Sequence, residues 1–209
     1  MFKINEKDLP NQIPVFPLSG VIYFPKTNLP LNIFEKRYLD LVNDAYNNNK
    51  LMGMVQSKKE KNDVYQVGCL GKISEYQKSE DGRILINLTG ITRFKIFEEI
   101  PNNKLYRQFK VDYKEFKFDT NHSEKAIDTG DLINKAKTFF KRNGLLLNWI
   151  EFEKLDLMQK INTLAMISPI TNEEKQKLLE SISLNDRVKT LEDIIGFYLY
   201  DTGLNNSIN

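Results

Sequence analysis

The stretch from Ile13 to Leu31, IPVFPLSGVIYFPKTNLPL, is dominated by Val, Ile, Tyr and Phe, residues that favour strands. It also holds Pro14, Pro17, Pro25 and Pro30, four of the seven prolines of the chain. Each removes a backbone donor that a sheet ladder would use, so no part of this stretch reads as a strand paired on both sides along its length. Whatever sheet forms here has to accommodate one-sided or interrupted strands.

Downstream, Phe34, Tyr38, Leu41, Val42 and Ala45 are spaced for one helix face, with Asn32 as its expected cap and Asn47-Asn48-Asn49 as its end. Met52 to Gln56 reads as a short strand and Ser57 to Asp63 as a charged loop. From Val64 to Glu99 the pattern is β. Asp81-Gly82 marks a hairpin, Ile84, Ile86 and Leu88 alternate with Arg83, Leu85, Asn87 and Thr89, and Gly90 interrupts before Phe94 and Ile96. A glycine inside such a run signals a bulge that curls the sheet toward a barrel. Phe109, Val111 and Tyr113 supply a last alternating strand.

After Ser123 the texture becomes helical. Leu132, Ala136, Phe139 and Phe140 form one stripe that stops at Asn143-Gly144, and Leu157, Ile161, Leu164 and Ala165 form a second that stops at Ser168-Pro169. Thr171 with Glu174 makes a capping box, and Ser183 precedes a helix with Val188, Leu191, Ile195 and Tyr198 on its apolar face. Strands first and about four helices afterwards predict an α+β chain, with a β domain carrying one helix over 1–119 and a helical bundle over 120–209.

The 209 residues carry 30 basic and 28 acidic side chains and a net charge of +2, which does not suit a nucleic-acid magnet. No apolar run approaches the roughly 18 residues of a membrane span, and the N-terminus lacks the layout of a secretory signal, so the expected location is cytoplasmic. Cys69 is the one cysteine and His122 the one histidine, so neither a disulfide within the chain nor a two-histidine zinc site can form. Cys69 reads as a packed thiol and His122 as a helix-entry or exposed residue. No phosphate loop occurs, and the glycines of Gly68-Cys69-Leu70-Gly71-Lys72 are wrongly spaced for one. No catalytic constellation, metal or cofactor is expected.

Several separated motifs resemble, in order, the substrate-binding N-terminal domain of the Lon (La) proteases. They are Ile13-Pro14-Val15-Phe16-Pro17-Leu18, Phe24-Pro25, Leu29 to Tyr38, Met52-Gly53-Met54-Val55, Val67 to Ile73, Asp81-Gly82-Arg83 and Gly90 to Ile96. The similarity is closest to stand-alone bacterial members. It implies a PUA-like β pseudo-barrel followed by a helical bundle, in which prolines occupy edges, bulges and turns where a missing donor costs little. It further implies a polypeptide-binding module that holds exposed apolar segments of unfolded or client proteins, with no ATPase or Ser-Lys protease motif in this chain.

The expected contacts are Phe24, Leu29, Leu31 and Phe34, with Met52 and Met54 as adaptable ones, although residues at strand and helix spacing usually prove to be core. An apolar patch of about 400 Å² would supply on the order of 10 kcal/mol gross, much of it removed by association entropy. Pro17, Pro25, Pro30, Arg37, Gly68, Gly82 and Arg93 are expected to serve the framework, the arginines through ion pairs or carbonyl contacts. Two alternatives stand beside this reading. One is an RNA binder using Lys110, Lys114 and Lys117 with Tyr113 and Phe116. The other is an adaptor that docks on a separate protease or chaperone through its helical half.

Overall fold

The computed structural model describes residues 8–58, 63–119 and 127–205, with side chains through Tyr200. The chain divides into two compact units, Met1–His122 and Ser123–Asn209. His122 and the expected boundary near Thr120 lie outside the described residues.

The first unit runs β1 (Gln12–Leu18), β2 (Asn28–Ile33), α1 (Lys36–Asn47), β3 (Leu51–Gln56), β4 (Val67–Lys78), β5 (Ile84–Ile100) and β6 (Arg107–Asp112), then a 3-10 segment, Lys114–Asp119. The strand order is β2-β5-β4-β3-β1-β6, and β6 also pairs with the far half of β5. Strands β5, β4, β3, β1 and β6 therefore close into a ring. β2 stands outside it, hydrogen-bonded to the near half of β5, and no described strand pairs with its other edge. β1 and β3 are parallel and the remaining pairs antiparallel.

Partial pairing resolves the proline problem. β1 meets β6 over Gln12 to Val15 and β3 over Val15 to Leu18, so Pro14 and Pro17 each lie in a half of the strand with one neighbour. Pro30 sits on β2, which among the described strands pairs with β5 alone. Gly90 donates its N–H to Thr27 O at 2.9 Å. Because antiparallel pairs alternate, Leu29, Leu31 and Ile33 turn their backbone groups toward β5, while Asn28, Pro30 and Asn32 turn theirs outward. Each missing donor thus falls where no ladder needs it.

Bulges supply the curl. Gly71 pairs with Gly90 but Leu70 with Thr92, which leaves Ile91 extra, and further register shifts occur at Ile73/Glu75 and Ile96/Glu98. At the β4–β5 hairpin Gly82 has φ +87°, a conformation that side chains resist. Alternation turns Ile84, Ile86, Leu88 and Phe94 inward, and a core of Ile13, Val15, Leu51, Val55, Leu70, Phe94, Phe109 and Val111 fills the ring. The buried face of α1 packs on this sheet through Tyr38, edge-on to Phe16 at 4.0 Å, and Tyr46 stacks on Tyr76 at 4.2 Å.

Two expectations need correction. Asn32 is the penultimate residue of β2 rather than a helix cap, since pairing with β5 carries the strand through Ile33; the cap residue is Glu35. Phe34, expected on the apolar helix face, precedes the helix and is 67% exposed.

The second unit holds α2 (Gly130–Arg142), α3 (Trp149–Glu153), α4 (Leu157–Ile167), α5 (Asn172–Glu180) and α6 (Leu184–Asn205). α2 and α6 lie side by side, joined by Lys135 to Glu192 at 2.6 Å and by the rings of Phe139 and Tyr198. Thr171 and Glu174 cap α5 as expected, and Asp156 with Gln159 makes a second capping box on α4. Arg187 is fully buried and donates to Leu178 O at 3.0 Å and Asn162 Oδ1 at 2.5 Å, tying α6 to α5 and α4.

Candidate functional site

The open side of β2 continues into the outer face of β5 and β4. Pairing stacks their side chains in rows: Glu75, Asn87 and Pro30 form one, and Gln77, Leu85 and Asn32 the next. A further row joins Ser74 to Thr89 and Asn28. The Thr89 hydroxyl donates to Asn28 Oδ1 at 2.8 Å and lies 3.1 Å from Ser74 Oγ, which itself donates to the Asn87 carbonyl at 3.0 Å. The shift at Ile73/Glu75 bends β4, and the bent face encloses a shallow groove of about 730 Å³. Leu31, Tyr76 and Ile86, the row between those two, also border it, with their side chains on the opposite face of the sheet.

This groove mixes amides with apolar surface. Four of its ten described lining residues carry carboxamides (Asn28, Asn32, Gln77 and Asn87), groups that both donate and accept. Among the described residues no hydrogen bond engages the side chains of Asn32, Glu75, Gln77 or Asn87. Leu85 is 43% exposed, so apolar contact is available beside the amides. Tyr76 is held in place: it stacks on Tyr46, and its hydroxyl donates to Asn43 Oδ1 at 2.8 Å.

Of the expected contact residues, Phe24, Leu29, Met52 and Met54 are buried, because strand alternation or loop packing turns them into the core. Leu31 borders the groove, and Phe34 projects just past the end of β2. Pro30 lines the groove, while Pro17 lies in β1 and Pro25 in the turn before β2. Arg37 pairs with Glu35 at 2.8 Å and stacks over Tyr38. A side chain at Gly68 would collide with the Met54 carbonyl. Arg93 is buried in a bidentate ion pair with Asp119, both bonds 2.8 Å, and lies over the Phe116 ring.

The two aromatic groups of the RNA alternative are engaged within the fold. Phe116 is buried, and the Tyr113 hydroxyl donates to Pro10 O at 2.7 Å, with burial pushing its pKa well up. Lys110 is paired with Glu98 at 2.8 Å and Lys114 with Asp112 at 3.4 Å. Cys69 is buried. No described helix is long and apolar enough to cross a membrane.

This fold has solved counterparts among Lon N-terminal domains. The Lon N-terminal domain protein of Xanthomonas campestris superposes with a TM-score of 0.63 at 20% identity, covering 86% of this chain and 96% of that one. The N-terminal domain of the Mycobacterium avium complex Lon protease gives 0.62 at 16% identity, covering 88% and 98%. Likeness at that identity establishes the fold. The family follows from the sequence: residues 12–196 match the ATP-dependent protease La (LON) substrate-binding domain, and the chain belongs to that family.

Among curated relatives, the Lon protease of Dictyoglomus thermophilum is 24% identical over 195 residues, 88% of this chain and 24% of that protein. The Lon protease of Malacoplasma penetrans is 28% identical over 206 residues, 90% and 25%. The chain spans about a quarter of the length of these relatives.

Proposed function

We propose that this chain is a non-catalytic module that holds extended segments of unfolded or client polypeptides in the groove beside β2. The observation that supports this most is the pairing of unengaged carboxamides with Leu85 on one concave face. An unfolded chain offers main-chain N–H and C=O groups whatever its sequence, and side-chain amides can meet both. Leu85 and Phe34 add apolar contact for whichever side chains the segment carries. Recognition is therefore shared between amides and a few apolar groups, in place of one large apolar patch. Such a surface gives promiscuous, micromolar affinity once association entropy is subtracted.

The test is anisotropy with a labelled, permanently unfolded polypeptide, its native form and an RNA, at low and moderate salt. Binding confined to the unfolded form and weakened about tenfold by Leu85→Asp supports the reading, the factor being that of losing one partly buried leucine contact. Unchanged affinity in that variant, or preference for the RNA, overturns it.

A second reading, the adaptor, has a separate observation in its favour. The helical unit leaves Leu146, Ile150, Phe197 and Tyr200 mostly exposed. Co-purification with a separate protease or chaperone that is lost in the Leu146→Ser, Ile150→Ser double variant, with peptide binding intact, would favour it.

A further inference from the structure

Glu75 is the single charged side chain among the described residues lining the groove, and no described side chain pairs with it. Arg83, at the hairpin tip, is engaged by Asp81 at 2.7 Å. Lys72 pairs with Thr89 one row away and does not line the groove, and Lys78 pairs with Ile84 on the opposite face.

Glu75 shares its row with Asn87 and Pro30, and the row beside it centres on Leu85. Adjacent rows on one face of a sheet are two residues apart, about 7 Å, which equals the spacing of residues i and i+2 in an extended chain. A segment lying along β4 and β5 therefore sets one side chain at Glu75 and the one two places away at Leu85.

We propose that the groove selects extended polypeptide segments in which a Lys or Arg stands two residues from an aliphatic side chain, the cation meeting Glu75 and the aliphatic group meeting Leu85. This rests on the polypeptide-binding reading and names the class of segment it prefers. The long stem of a Lys or Arg suits the geometry, because it can lie along the Pro30 and Asn87 row while its charged end stays hydrated. An exposed ion pair is a weak contact, so the selection amounts to about threefold and fades as salt screens it.

The full chain is titrated with three labelled peptides of one Ser- and Leu-containing sequence, differing only in Lys, Glu or Gln two residues before the leucine. The Lys peptide should bind about threefold more tightly than the Glu peptide. Glu75→Gln should equalise the two, and Glu75→Lys should invert the order. Equal affinities in the native chain, or a preference that survives Glu75→Gln, overturn the selection while leaving polypeptide binding in place. Binding of none of the three overturns the polypeptide reading and the selection together.

Discussion

Removing the carboxylate of Asp119 isolates one of the most buried charges in the protein. Arg93 and Asp119 are each 2% exposed at the side chain, and Asp119 accepts from Arg93 Nε, Arg93 Nη2 and the Arg93 backbone N–H at 2.8, 2.8 and 2.9 Å. Truncating one member of such a pair strands the other in a low-dielectric interior, at a cost of about 3–5 kcal/mol. Replacing both by apolar residues of similar volume is often close to neutral. Asp119→Ala and Arg93→Met should therefore each cost several kcal/mol, and Arg93→Met combined with Asp119→Leu should cost much less than their sum.

Urea unfolding followed by circular dichroism reads the difference. With a slope of about 2 kcal/mol per molar, a 4 kcal/mol loss moves the midpoint by about 2 M. The single tryptophan, Trp149, lies in the second unit, so its fluorescence serves as an internal reference for the helices. Singles that shift the midpoint by less than about 0.3 M, or a double variant as damaged as the sum, would refute the argument.

Other outcomes follow from the same structure. Pro30→Val restores an outward donor on the open edge of β2, and should produce edge-paired species larger than the native chain's in light scattering. Gly82→Val forces a β-branched residue to φ +87° and should cost about 1–2 kcal/mol in unfolding. Thr171→Ala removes the cap of α5 and should cost about 1 kcal/mol, read by Trp149 fluorescence. Hydrogen bonds from Lys104 and Tyr106 hold the Asp44 carboxyl below its usual range. Its contribution, under about 1 kcal/mol for an exposed pair, is therefore present above the unfolded-state carboxyl range near pH ~4 and lost as pH falls through the lower folded value. Asp44→Asn should flatten that part of the acid limb of a stability profile.

The fold was legible wherever a local rule acted alone. Asp81-Gly82 turns, Gly90 bends β5, and Thr171 with Glu174 caps α5 because each depends on a few adjacent residues. Asn32 and Phe34 misled because the same residues suit a cap and a helix stripe, and only pairing with β5, more than fifty residues on, keeps the chain extended through Ile33. The contact residues misled for a related reason. Phe24, Met52 and Met54 carry apolar side chains whichever way they face, and the direction is set by the closing of the ring. Leu85, Asn87 and Thr89 were visible as the outward half of an alternating strand. Concavity was not, since it arises from the bulge in β4 and from the row that β2 adds.

Amide hydrogen exchange of the intact chain, with and without a permanently unfolded polypeptide, tests the central claim most directly. The account predicts slowed exchange at Asn28 and Asn32, whose N–H groups turn to the open edge of β2, and at neighbouring residues of β5 and β4. Full occupancy by the polypeptide with no change on those three strands would contradict it.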